Sequence, residues 1–382
     1  MAVVGSHRRG NCPARRPRAR LLAAVALAIT MIVAMTADAA LALPPAPSAA
    51  KADMARLFAF YNKATGRIGG SWWQSAVALS TLETYQQATG DRSYEKAVPA
   101  AFARYARSDF ENSYNDDTGW WGLAWLQAYH LTRSRFPRAR EYLAMAKTDA
   151  DYMHRSWDNS CGGGVWWTTA RTYKNAITNE IFLELTAWLH NSIPGDTKYL
   201  AWAESEWAWF SGSGMINGSD LVNDGLDGQC ASNRQTTWTY NQGVILAGLA
   251  QLYLATGDVS HLREAEAIAT SAIRRLTVSG VLHEPCGESA CGQKPGDVQS
   301  FKGIFARDLK VLAVTARTSQ FNSFFTAQAR SVETSDTRSN HQLGFLWHGP
   351  VTGVSSYSQA SALDAIVAAI RLPGRGAVLS AA

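Results

Sequence analysis

Residues 72–91 read WWQSAVALSTLETYQQATGD, and residues 239–258 read TYNQGVILAGLAQLYLATGD. Each is a run of helix length ending in the same four residues, Ala-Thr-Gly-Asp. A second run with apolar residues at helical spacing follows each, from Arg92 and from Val259. Each stretch therefore predicts a helical hairpin. Residues 190–196 play the same part in mid-chain, where Pro-Gly-Asp closes one helix before Tyr199 opens the next. Carried outward, the pattern predicts six hairpins, with leading helices near 54–64, 93–108, 138–156, 197–210, 259–276 and 320–333. Their partners are predicted near 73–89, 120–133, 175–191, 239–256, 302–318 and 356–370. Strand-like alternation is scarce, so the fold class is all-α. Twelve helices in a chain of this length suit a closed α/α toroid better than an open solenoid.

The two helix sets differ in a way that supports closure. Residues 119–131 and 244–254 are apolar nearly all round, as buried inner helices must be, whereas 142–155 and 261–275 carry Lys, Arg and Glu on one face. The pattern predicts an inner ring wrapped by an outer one.

The 382 residues, 47% of them hydrophobic, are enough for one large core, and no Pro/Ser linker or charge block marks a second domain. Residues 1–42 read as a secretory signal peptide: six arginines between Arg8 and Arg20, an apolar stretch from Leu21 to Met35, and Ala40-Leu41-Ala42 as a cleavage site. The apolar stretch is shorter than the roughly 20 residues of a spanning helix, so the expectation is secretion with no stable membrane insertion. The arginine pairs match a twin-arginine export signal poorly. A short linker over 43–50, a catalytic domain over 51–373 and a tail over 374–382 complete the predicted organisation.

Removing 1–42 takes away six arginines and Asp38, so that the 36 basic and 31 acidic residues become 30 of each. A mature chain of zero net charge has no basic stripe for a phosphate backbone, which argues against nucleic acid as a partner. A toroid of this size needs no second copy to complete its core, and a monomer is expected.

Four cysteines remain in the mature chain. Cys286 and Cys291 flank a Gly-containing loop and are expected to pair, leaving Cys161 and Cys230 for a second bridge. The four do not form two close-spaced pairs, which disfavours zinc. The seven mature histidines, His130, His154, His190, His261, His283, His341 and His348, are scattered with no pair at metal-ligand spacing. Residues 223–228 read NDGLDG, but the spacing of a calcium loop and its closing Glu are absent. No metal or cofactor is expected.

Polar and aromatic residues gather where the inner helices start, at 70–73, 115–121, 173–180, 237–242 and 301–307, positions that share one end of a toroid. Among them, Tyr114-Asn115-Asp116-Asp117-Thr118-Gly119-Trp120-Trp121 is the sharpest. Adjacent carboxylates repel, which raises one pKa while the other stays ionised near the free N–H groups of the helix start. Helix capping explains one Asp at such a place, but not two. Of 14 tryptophans, the doublets 72–73, 120–121 and 166–167 adjoin Gly at cleft positions. Indoles stack on the C–H faces of sugars, and helical geometry turns one Trp of each pair toward the core.

These residues carry a resemblance. Asp-Asp-x-x-Trp-Trp followed by Gly-Leu-Ala-Trp, then GGGVWW (162–167), KNAITNE (174–180), YNQG (240–243) and FKGIF (301–305), are similar to glycoside hydrolase family 76. The likeness covers almost the whole mature chain and implies an (α/α)6 barrel that cleaves α-1,6-mannan with retention. It implies Asp116 as the nucleophile and Asp117 as the general acid/base. It further suggests Trp120, Trp121, Trp167, Asn175, Glu180, Asp224, Tyr240, Asn241, Gln242 and Lys302 as residues that touch mannose. Glu180 also fits a capping carboxylate, Lys302 a partner for an acid, and Asp224 a turn residue. Rival readings are another glycosidase on the same toroid, a cell-wall transglycosidase acting on α-mannan, and a mannan-binding protein without turnover. The adjacent acids disfavour the first and the last.

Overall fold

The computed structural model describes residues 47–292, 294 and 296–371; the signal expected over 1–42 and the tail expected over 374–382 lie outside the described residues. Twelve helices of nine residues or more form the described body: α1 (Pro47–Phe58), α2 (Trp72–Thr89), α3 (Ala97–Tyr105), α4 (Asn115–Thr132), α5 (Ala139–His154) and α6 (Ala176–Ser192) in its first half. Then come α7 (Lys198–Gly212), α8 (Thr239–Thr256), α9 (Val259–Arg275), α10 (Val298–Thr315), α11 (Asn322–Ser335) and α12 (Ser356–Ala368). The even-numbered helices pack each on the next, and α12 returns to α2, which closes the inner ring. Odd-numbered helices lie outside: α5 packs on α4, α7 on α6, α9 on α8 and α11 on α12. This is the (α/α)6 barrel.

Sequence explains the two layers. Along α8 the residues from Asn241 to Leu252 are buried without a break, so no face is left for water. Helix α9 instead buries Leu262, Ala265, Ile268, Ala269 and Ala272, one stripe at helical spacing, and places Arg274 and Arg275 in its last turn. The repeated Ala-Thr-Gly-Asp works as a double cap. Gly90 and Gly257 take left-handed conformations, φ 79° and 74°, that end α2 and α8. Asp258 then accepts from the Ser260 N–H at 2.8 Å to open α9.

Four expected boundaries shift. The linker expected over 43–50 yields to α1, which begins at Pro47; a proline is compatible with a first helical turn, where its missing N–H has no partner to lose. Helix α1 ends at Phe58 rather than near 64, because Asn62 turns the chain through the hairpin Tyr61–Asn62/Arg67–Ile68, its Oδ1 accepting from Ala64 N–H. Helix α4 starts at Asn115, five residues earlier than expected, which puts Asp116 and Asp117 in its first turn. Helix α10 starts at Val298, so Asp297 directly precedes it. Both expected disulfides are present, Cys161–Cys230 and Cys286–Cys291.

Midway along the inner helices the ring interior is polar. Arg307 on α10 donates to Asp308 (3.3 Å) and lies 3.6 Å from Asp364. Burial pushes Glu83 and Glu184 well above the ordinary carboxyl range in the same region.

Candidate active site

The starts of α2, α4, α8 and α10 and the loops ahead of α6 and α8 surround a cavity of about 520 Å³. Helix α2 supplies Trp73; α4 supplies Asp116, Asp117 and Trp120, with Tyr114 just before it. The segment ahead of α6 brings Trp167, Tyr173 and Asn175, and the one ahead of α8 brings Asp224. Tyr240 on α8 and Asp297 and Phe301 at α10 complete the wall.

The two aspartates differ in their partners. Asp116 accepts from the Trp167 indole Nε1–H at 2.9 Å and from the Asp117 backbone N–H at 2.9 Å. Asp117 accepts from the Asn112 amide at 2.6 Å, on one oxygen. Burial, with the neighbouring Asp117 charge second, pushes Asp116 up to about 8. Burial also raises Asp117, to about 6; the Asn112 hydrogen bond opposes that rise and the Asp297 charge adds to it. The pair therefore shares one proton across the neutral range. The two N–H donors to Asp116 favour its ionised form, but burial and the neighbouring Asp117 charge outweigh them.

The walls are aromatic. Trp73 and Trp120 stack at 5.8 Å between ring centroids, and Tyr240 lies on Phe301 at 3.8 Å. Trp73 also donates its indole N–H to Asp297 (3.2 Å), and burial raises the pKa of that carboxyl. Tyr173 donates to Asp224 at 2.5 Å and receives the Asn233 amide at 2.8 Å, which fixes the Asp224 carboxylate at the rim. Such a cavity offers flat apolar faces beside acceptor oxygens, the two features a pyranose ring presents in complement.

Of the residues expected from sequence, Asp116, Asp117, Trp120, Trp167, Asn175, Asp224 and Tyr240 line the cavity. Five others do not. Trp121 is wholly buried among Trp72, Phe110 and Trp125, the inward member of its doublet. Lys302 is fully buried and donates to Glu288 (2.6 Å) and the Phe345 carbonyl (2.8 Å). Gln242 clamps a loop: its Oε1 accepts from Val222 N–H at 2.7 Å and its Nε2 donates to Val222 O at 2.9 Å, two residues before Asp224. Glu180 and Asn241 are buried at the base of α6 and α8, and their side-chain polar atoms lack hydrogen-bond partners among the described residues. Burial raises Glu180 well above the ordinary carboxyl range.

The motif around 174–180 is explained by support rather than by lining. Lys174 Nζ donates to the Ser160 and Gly163 carbonyls, both at 2.6 Å, and to the carbonyl and carboxylate of Asp158. Asn179 accepts from Val165 N–H (2.6 Å) and donates to Val165 O (3.0 Å). Together they hold the segment that delivers Trp167 to Asp116. Trp73, Tyr114, Tyr173, Asp297 and Phe301 are lining residues outside the candidate site residues read from the sequence. Asp297 carried a usable signal: it stands immediately ahead of an inner helix, close to the position of Asp116 at α4.

The sequence model of Glycosyl hydrolase family 76 matches residues 46–378. Mannan endo-1,6-alpha-mannosidase DCW1 of Saccharomyces cerevisiae is 31% identical over 339 residues, covering 80% of this chain and 74% of that one. The GH76A alpha-1,6-mannanase of Salegentibacter sp. superposes with a TM-score of 0.75 at 25% identity, over 85% of this chain and 98% of that one. An inactive variant of the same mannanase, with two consecutive aspartates replaced by alanine and alpha-1,6-mannotetrose bound, gives a TM-score of 0.76 at 24% identity over the same shares.

Proposed function

The chain belongs to glycosyl hydrolase family 76, and from that premise we propose that it cleaves α-1,6-mannosidic linkages of mannan with retention, using Asp116 and Asp117. The observation that carries this reading is a pair of adjacent carboxylates in one aromatic cavity with unlike hydrogen-bond partners. In the first step a carboxylate oxygen of Asp116 forms a bond to the anomeric carbon as the glycosidic C–O bond breaks, and Asp117 gives its proton to the leaving oxygen. Asp117 then takes a proton from water, whose oxygen attacks the same carbon and expels Asp116. The glycosidic oxygen is a hydrogen-bond acceptor, so bound substrate draws the shared proton to Asp117 and leaves Asp116 ionised. Trp73, Trp120, Tyr240 and Phe301 supply faces for mannose rings, and Asn175, Asp224 and Asp297 supply groups for their hydroxyls.

Residues 1–42 serve in this reading as an export signal, so that the enzyme meets its polymer outside the cell as a monomer. The test is release of reducing ends from linear α-1,6-mannan by the purified protein beside Asp116→Asn and Asp117→Asn, with folding followed by circular dichroism. Activity in the parent that disappears in both folded variants supports the assignment. A folded parent that leaves the polymer untouched overturns it.

A further inference from the structure

Outside the cavity, folding brings His348 to His283 and Glu288, which are close neighbours in sequence, so that each of the three has one ligand-type atom within 4.8 Å of the others. We propose that they form a binding site for a divalent transition-metal ion of the zinc class, which pins the loop between α9 and α10.

The argument begins with a conflict between lone pairs. Glu288 is 5% exposed. Its Oε1 is fully used, accepting from Lys302 Nζ at 2.6 Å and from the Glu284 backbone N–H at 2.9 Å. Its Oε2 is buried and has no hydrogen-bond partner among the described residues. That oxygen instead faces His283 Nε2 and His348 Nδ1, each at 3.9 Å. The tautomer of His283 follows from its other nitrogen. Nδ1 lies 2.8 Å from the Val281 carbonyl, which can only accept, so Nδ1 carries the hydrogen and a neutral ring aims the Nε2 lone pair at Glu288. The repulsion between lone pairs that face each other at 3.9 Å is removed by a cation between them, a proton or a metal ion.

A metal ion fits the donor set. Two imidazole nitrogens and one carboxylate oxygen, with a position left for water, are a common zinc environment, and an imidazole held through its second nitrogen by a carbonyl is the usual support for such a ligand. Ligand atoms around a tetrahedral zinc stand about 3.3 Å apart. Closing the two 3.9 Å separations takes a turn of both imidazoles that opens their 4.5 Å stack, for which His348, 43% exposed at its side chain, has room.

The site would act on the cleft through the backbone. Glu288 holds the N–H of Glu284, and Glu284 in turn accepts from Thr239, the first residue of α8, which precedes Tyr240. Downstream, the same loop ends at Asp297 in the cavity wall. A metal at this place therefore steadies Tyr240 through Glu284 and Thr239 without touching substrate.

The experiment uses the full chain, stripped with a chelator and titrated with Zn²⁺ alone by calorimetry, beside His283→Ala and His348→Ala. Glu288 is left intact because its loss would strand the buried Lys302. One ion per parent chain is expected, with affinity weakened by at least about tenfold in each variant, and a melting temperature that Zn²⁺ raises in the parent only. No binding by the parent, or unchanged affinity in either folded variant, overturns the proposal and leaves a shared proton as the cation between these groups. No substrate enters this measurement, so its failure is separate from any failure of the mannanase reading.

Discussion

Replacing Trp167 by phenylalanine deletes the one indole N–H bonded to the proposed catalytic pair and keeps an aromatic ring in the wall. That N–H donates to Asp116 over 2.9 Å, to a carboxyl that burial pushes up to about 8. A hydrogen bond to a charged group contributes about 1.5–3 kcal/mol, and one pKa unit corresponds to about 1.4 kcal/mol. Its loss therefore disfavours ionised Asp116 by about one to two units. Because Asp116 and Asp117 titrate as a pair, near about 8 and about 6, the shift falls on the sum of the two macroscopic values. Destabilising every state that contains ionised Asp116 can raise either step and lower neither.

The assay is kcat/KM on a mannan oligosaccharide from about pH 4 to about pH 10, which reports the free enzyme. The parent gives a bell centred near neutrality. In Trp167→Phe the maximum falls roughly ten- to hundredfold, and the limbs together move up by about one to two pH units. Movement of the upper limb places the shared proton on Asp116 in the free enzyme, and movement of the lower limb places it on Asp117. Limbs that stay in place, or that move down, refute the reasoning, because a mere loss of packing lowers the rate without moving either.

Asp297→Asn removes a charge that pushes Asp117 upward, so the same profile shifts down by a fraction of a unit, opposite in sign to Trp167→Phe. Lys174→Met strips a donor from the Ser160 and Gly163 carbonyls and leaves Asp158 to Arg171 and Trp166, and chemical denaturation is expected to show a loss of about 1–3 kcal/mol. Burial opposes ionisation of Asp158, but hydrogen bonds from Trp166 and Lys174 outweigh it and hold the group well below its ordinary value. The stabilisation from this pair is thus present above about pH 4 and lost as the pH falls below it, and Lys174→Met flattens that acid limb. Gly164→Ala puts a Cβ 2.3 Å from the Trp209 ring at a φ of +90°, so a destabilisation of about 2–4 kcal/mol is expected in the same denaturation assay.

Within the family motifs, conformation and cargo separate cleanly. The glycines of 162–164 adjoin the Trp209 ring and, with Lys174 and Asn179, build the segment on which Trp167 rides. Trp167 alone of that group reaches Asp116.

The helical hairpins and their two layers were legible in the sequence because burial acts along each helix separately. A run apolar all round, such as 244–254, has only the inside of a ring to occupy, and a one-faced run such as 261–275 has only its outside. The aspartate pair was legible for a related reason: two acids at one helix start are a local arrangement, and local chemistry survives in the order of residues. Which tryptophan of a doublet meets the cavity followed from helical geometry in kind, but Trp121 and Trp120 were sorted only by the packing of Trp72 and Phe110 against the first. Lys302 was misplaced because its partner, Glu288, lies on a separate short helix 14 residues earlier, and side-chain pairing between elements leaves no trace in spacing. Asp297 enters the wall by the closure of α10 beside α8, and His283 and His348 meet although they stand 65 positions apart. The sequence by itself determined the periodicity, the caps and the adjacent acids, which depend on neighbours a few residues away. Only the tertiary structure decided which polar groups face the cavity, which are buried against one another and which carboxyls burial lifts, because those depend on how six hairpins close.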